Sequence, residues 1–158
     1  MLWWVPAPGG REGGRENAVQ EIRRASQIAE ASALRVLIAN RVGSIAESAD
    51  QLAALIAEIG SPAVGASYDP SEVAASGGSP FYGEIYRGRL RRYLGHVDLK
   101  DVVADPGEQV ALGMGNSEVM EIVSSLRCRS YAGLLCLHPR GRDIQGAIEE
   151  FSGILERI

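Results

Sequence analysis

The sequence predicts an α/β fold in which a parallel sheet curls toward a barrel and helices cover its outer face. Three observations predict it. Apolar runs of strand length alternate with stretches of helical periodicity about five times along the chain. The strand-length runs are nearly continuously apolar, the pattern of strands buried on both faces. Polar, reactive side chains fall at the carboxyl ends of several of these runs, where a (β/α) barrel carries its working groups. An open doubly wound sheet would instead show a glycine fingerprint after its first strand, and GGREGG at 9–14 matches GxGxxG poorly.

Taken in order, WWVP at 3–6 reads as a short buried strand ended by the turn-prone APGGREGG. From Glu16 to about Ala33, Ala18, Val19, Ile22, Ala25, Ile28 and Ala29 recur at three- and four-residue spacing, with Glu21, Arg24 and Glu30 on the opposite face of a helix. RVLIAN at 35–40 is the next strand, and Ser44 to Ile59 the next helix, stopped by Gly60 because glycine enters the left-handed conformation cheaply. PAVGASYD at 62–69 is a strand, followed by an irregular loop rich in Pro and Gly and then a helix from Phe81 to Arg92. LGHVDLKD is a strand and VADPGEQVALGMGN a loop. Ser117 then caps a helix to Leu126. AGLLCLH at 132–138 is the last strand, and Asp143 caps a final helix running to about Ile158.

A chain of 158 residues is one ordinary domain, and 46% hydrophobic with 23% charged residues is globular composition, so residues 1–158 are expected to form a single domain. A net charge of −4 supplies no basic field, which argues against nucleic acid or an anionic membrane as a partner. The arginine clusters, Arg11, Arg15, Arg23 and Arg24 and then Arg87, Arg89, Arg91 and Arg92, read as solvated helix faces. Cys128 and Cys136 lack CxxC spacing and read as reduced, packed thiols of a cytoplasmic protein. MLWWVPAPGG is too short for a membrane span and carries no basic leader.

GHVDLKD at 95–101 holds the chain's only lysine and one of its two histidines. Side chains alternate across a strand, so His96, Asp98 and Lys100 share a face while Val97 and Leu99 take the other. With the apolar pair toward the helices, the polar three point into the barrel near its mouth. Asp69 ends SYD and His138 ends LCLH at equivalent strand ends. Asp69, Asp98 and His138 are therefore expected to converge as ligands of a divalent cation such as Mn, Mg or Zn, which would also offset the burial of two like charges. The plainer readings are an Asp69 that caps a turn, a structural His138, and a solvent-exposed terminus at Lys100 and Asp101.

These motifs, with IANR at 38–41, SYDP at 67–70, GMG at 113–115 and LCLHP at 135–139, resemble in order those of the xylose isomerase-like barrels, a group that includes sugar phosphate isomerases and epimerases. The resemblance runs from about Leu2 to the end. It implies a parallel (β/α) barrel of xylose isomerase type that is partial, about strands 4 to 8 of eight. In the family an acidic residue, Asp, His and Glu hold the metal. The matching positions here are Ala39, Asp69, Asp98 and His138. Both glutamates that serve the family as acid and base are thus replaced.

The implied activity is an isomerisation or epimerisation of a small sugar or sugar phosphate, with the cation on Asp69, Asp98 and His138, and with Lys100 and His138 as the groups left for oxyanion stabilisation and proton transfer. The competing expectation is a catalytically silent sugar-binding or assembly subunit. A metal-dependent phosphoesterase needs more histidines than two. A partial barrel exposes unpaired edges, so a homo-oligomer or a partner chain is expected to complete it. GMG and the arginines are a further place where backbone N–H groups could grip a phosphate.

Overall fold

Short branched apolar runs become strands and the three- and four-spaced ones helices, in the expected order. The computed structural model of the protein describes residues 2–4, 14–105 and 107–158. Contacts divide the chain into two compact units, Met1–Tyr68 with Gly88–His96, and Asp69–Arg87 with Val97–Ile158. No helix among the described residues is long and apolar enough to cross a membrane.

In the first unit β1 (Leu2–Trp4), β2 (Val36–Ala39) and β3 (Val64–Tyr68) pair in parallel, with Leu37 opposite Gly65 and Ala39 opposite Ser67. The first half of β4 (Leu94–Leu99) continues the order beyond β3. Of the sequence reading, the end of the first strand, the turn through residue 13 with Arg11, and position 106 of the later loop lie outside the described residues. α1 (Gly14–Ala31) buries Ala18, Val19, Ile22 and Ala29 as its periodicity predicts, but Ile28 is 68% exposed, at the margin of the stripe. α2 (Ala49–Ile59) begins five residues later than expected because Ser48 builds a capping box: its hydroxyl accepts from Gln51 N–H, and Gln51 Oε1 accepts from Ser48 N–H. Gly60 ends α2 at φ 73°, where an L side chain would be strained. Leu52, Leu55 and Ile38 are fully buried, each contributing about 1.5–3 kcal/mol through apolar burial. Arg35 and Leu37 fill the space left by two glycines: a Cβ at Gly65 would come within 2.8 Å of Arg35 Nη2, and one at Gly95 within 2.9 Å of Leu37 Cδ2.

The second unit departs further from the sequence reading. α3 (Pro70–Ala75) stands where a loop was expected, because Asp69 supplies an N-cap and Pro70 fits the first helical turn. The expected helix from Phe81 to Arg92 is instead a single π-helical turn, Pro80–Ile85, and a 3₁₀ turn, Leu90–Arg92, which belongs to the first unit. Glycine at Gly83 and Gly88 disfavours a continuous α-helix through this stretch. The expected loop after β4 contains a small antiparallel pair, β5 (Asp101–Val102) and β6 (Gln109–Val110).

α4 (Val119–Cys128) is capped by Glu118 in the left-handed conformation, not by Ser117, whose hydroxyl accepts from Val102 N–H. β7 (Leu134–Leu137) lies next to the second half of β4, and α5 (Ile144–Leu155) follows, with Asp143 as its N-cap as expected. The two cysteines are free but exposed, not packed. β7 is the outermost strand on its side of the sheet, so Cys136 is less screened than a residue of an interior strand. The described arginines of both clusters lie exposed. Arg15 pairs with Glu58, Arg24 with Glu21, and Arg23 donates to Glu58 O.

Candidate functional site

The second unit holds four of the residues singled out above as two pairs, His138 with Asp98 and Lys100 with Asp69. Asp98 is buried at 4% exposure, near the end of β4. His138, one residue beyond β7, reaches it: Nε2 donates to Asp98 Oδ1 at 2.6 Å. Two bonds to its own main chain fix the base of that imidazole: His138 N–H donates to Leu99 O at 3.1 Å, and the Gln109 side-chain Nε2 donates to His138 O at 2.7 Å. The hydrogen bond that His138 donates to Asp98 raises the imidazole above its ordinary range. Partial burial works against that rise, the charges of Asp98 and Asp69 add to it, and Lys100 opposes it.

Lys100 Nζ stands 3.5 Å from Asp69 Oδ2, and both side chains are largely shielded from water. Asp69 has a second duty, for its Oδ1 accepts from Ser71 N–H (2.9 Å) and Ser71 Oγ–H (2.6 Å) at the start of α3. The turn-cap reading of Asp69 and its pairing with Lys100 are therefore both realised, one on each oxygen. The carboxylates of Asp69 and Asp98 each face a cationic or proton-bearing partner, so each pair is close to charge-balanced by its own side chains.

This donor set fits a divalent cation in kind. Two carboxylates and one imidazole are hard-to-borderline ligands suited to Mg, Mn or Zn. Asp69, Asp98 and His138 would be the residues to hold it, each giving up part of its present pairing. The position matching the family's first ligand is Ala39, which contributes no donor. Cys136 lies two residues before His138. Partial burial and then the Asp98 charge raise its thiol above the usual range, which makes it a poor nucleophile at neutral pH.

His96 is buried in the first unit. Its Nδ1 shares a 2.7 Å hydrogen bond with Ser67 Oγ in the first unit, and it is 3% exposed. Asp101, weighed above as a possible solvent-exposed terminus, is 1% exposed. Its Oδ2 accepts from Gly113 N–H (2.8 Å) and Gly115 N–H (3.0 Å), and its Oδ1 from Ser117 N–H (2.9 Å). The GMG loop thus wraps an internal carboxylate, which removes those N–H groups from the phosphate grip considered for them. Sequence reasoning missed this anchor, and its signal was an aspartate at a strand end a dozen residues before a glycine-rich loop. It also missed Glu118, which accepts from Ser79 Oγ–H (2.8 Å) and from the backbone N–H groups of Phe81 and Tyr82. No pattern in the sequence marks Glu118.

The sequence profile of the xylose isomerase-like TIM barrel family matches residues 3–156. Among solved structures, a D-tagatose 3-epimerase-like protein superposes with a TM-score of 0.78 at 19% identity, covering 99% of this chain and 61% of that one. A probable 3-DHS dehydratase from Bacillus anthracis gives a TM-score of 0.79 at 17% identity, over 95% of this chain and 60% of the other. A xylose isomerase-like TIM barrel protein from Mycobacterium smegmatis in complex with magnesium gives 0.68 at 16%, over 93% and 51%. The chain therefore spans between half and two thirds of the length of these structures. A comparison with curated proteins returned no match.

Proposed function

Because this chain belongs to the xylose isomerase-like TIM barrel family and forms a partial barrel of that type, we propose that it is a sugar isomerase or epimerase-like protein, acting by proton transfer beside the carbonyl of a small sugar. The observation that carries the reading is the 2.6 Å bond between His138 and buried Asp98, beside the 3.5 Å pair of Lys100 and Asp69. His138 gives and takes the proton at Nδ1, the ring nitrogen not committed to Asp98, and Asp98 holds the ring in place through Nε2 and stabilises its charged form. Lys100 donates to the oxygen that gains charge as the carbon is deprotonated. Asp69, Asp98 and His138 would hold a divalent cation, which when bound polarises the substrate's carbonyl and hydroxyl oxygens. The magnesium of one structural neighbour supports this choice of ligand. Free thiols suit a cytoplasmic setting. A second copy of the chain covers the open edge at β7.

The test is exchange of solvent deuterium into D-tagatose, followed by NMR with protein dialysed against Mn, Mg or Zn. Carbon-bound deuterium with the native protein, lost in His138→Gln, is expected. Exchange that persists undiminished in His138→Gln would sink the assignment. A second reading, a silent binding subunit, is favoured by Ala39 and His138 standing where the family carries its two glutamates. On that reading native protein binds sugar without exchanging its protons, and the double substitution Ala39→Glu with His138→Glu gains exchange.

A further inference from the structure

The last strand carries a second metal-binding group beside His138. Side chains two residues apart along a strand share a face, so Cys136 and His138 stand on one side of β7 and Leu135 on the other. Packing identifies the sides. Leu135 lines an apolar groove with Val123 and Leu126 of α4 and Leu155 of α5, which puts the helices on its side and Cys136 on the opposite one. There the Cys136 sulfur and a carboxylate oxygen of Asp98 lie within 4.8 Å of each other. His138 Nε2 is 2.6 Å from Asp98 Oδ1. A thiol, an imidazole and a buried carboxylate thus meet across two neighbouring strands within the second unit.

We infer that Cys136 is a metal ligand and that, with Asp98 and His138, it makes this a site for zinc. Sulfur, nitrogen and oxygen donors in combination suit zinc, whereas magnesium is held by oxygen. The charges match. A thiolate and a carboxylate beside a neutral imidazole carry the two negative charges that a dication cancels, and the thiol proton leaves to solvent as the metal binds. Donor atoms around one tetrahedral zinc stand roughly 3.5 Å apart. Rotations of the exposed Cys136 and the half-exposed His138 reach that spacing about a fixed Asp98. Three protein ligands leave the fourth position for substrate or water. Among the described residues Cys128, at the end of α4, belongs to no such group, which makes it the internal control.

The inference rests on the reading of Asp98 and His138 as ligands and narrows their cation to zinc. It does not depend on Asp69, whose oxygens are engaged by Lys100 and Ser71. Cobalt(II) tests it directly, because a cobalt–thiolate bond adds an intense near-ultraviolet charge-transfer band that nitrogen and oxygen ligands do not give. Cobalt chloride titrated into the native chain, without oxygen and with a non-thiol reductant, is expected to raise that band. Cys136→Ser is expected to lose it and to bind zinc at least about tenfold more weakly, while Cys128→Ser keeps both properties. Cobalt that binds without the band, or a band that survives in Cys136→Ser, overturns the inference and leaves the oxygen and imidazole ligands standing. Displacement of zinc from native protein by a large excess of magnesium overturns it too. Native protein that takes up neither cobalt nor zinc overturns the cation reading along with it.

Should Cys136→Ser not fold, alkylation of the native protein decides. Zinc is expected to slow the reaction of Cys136 at least about tenfold and to leave Cys128 unchanged, read by mass spectrometry of the two peptides. Equal reaction of Cys136 with and without zinc overturns the inference.

Discussion

At the scale of single residues, the His138–Asp98 bond makes a prediction with a definite sign. His138 is raised in the folded protein above its ordinary value of 6.5, chiefly by the hydrogen bond to Asp98. Folding stability from this contact is therefore fully present below about pH 6.5 and is lost as the pH rises through the raised folded value. Urea unfolding across that window should show the decline, and Asp98→Asn should flatten it while the His138 ring resonances titrate closer to 6.5. An unchanged titration in Asp98→Asn would mean the bond is not formed in solution. Gly115→Ala tests the neighbouring anchor. Its methyl must displace Asp101 or the Val102 carbonyl, and overpacking of this kind costs about 1–3 kcal/mol, to be read from the urea midpoint. The strand-end placement of Asp69, Asp98, Lys100 and His138 was legible in the sequence, because a polar group at the end of an apolar strand has no packing reason to be there, whereas their pairing, His138 with Asp98 and Lys100 with Asp69, was not. Asp101 was not, because what distinguishes it is burial and three long-range hydrogen bonds, and neither leaves a periodic trace.

Elements divide in the same way. α5 was readable to its cap, since Asp143 precedes an unbroken apolar stripe, and α2 was readable except for its start, where the pairing of Ser48 with Gln51 decided between several serines. Ser48→Ala should cost about 1 kcal/mol and leave the chain folded, measurable by denaturant titration. A loss within error would show that α2 is held by burial of Leu52, Leu55 and Ile56 alone. The π turn at 80–85 was beyond reach from the sequence because a residue far along the chain holds it. Glu118 sits at φ 49°, a conformation uncommon for a side-chain-bearing residue, and its carboxylate meets the first N–H groups of that turn. Glu118→Ala is expected to speed hydrogen exchange at Phe81 and Tyr82, while Glu118→Gln, which keeps an acceptor, largely preserves protection. Equal exchange in all three proteins would remove Glu118 from the account of this element.

For the whole molecule the open question of chemistry is what lies along β7. Its central residues Leu134, Leu135 and Cys136 are exposed, with Leu134 at 57%, whereas β3 is buried along its full length. Ile144 and Ile148 on α5 are exposed as well, and a groove of about 290 Å³ lined by Val123, Leu126, Tyr131, Leu135 and Leu155 runs alongside. A flat apolar edge strand of this kind pairs with whatever strand meets it, and soluble proteins charge, shorten or cover such edges. β7 carries no charge. Coverage by a second copy predicts that purified protein is a defined oligomer by light scattering, since an interface of standard size buries about 1,600 Å², and that the pair of changes Leu134→Lys and Leu135→Lys shifts it toward monomer. Native protein that runs as a monodisperse monomer at concentrations well above the micromolar range would overturn self-association and leave the edge for a different chain. The lysine pair separates that outcome from general instability: charge on a free edge leaves the far-ultraviolet spectrum and cooperative unfolding intact, whereas charge on a strand buried within its own unit destroys both.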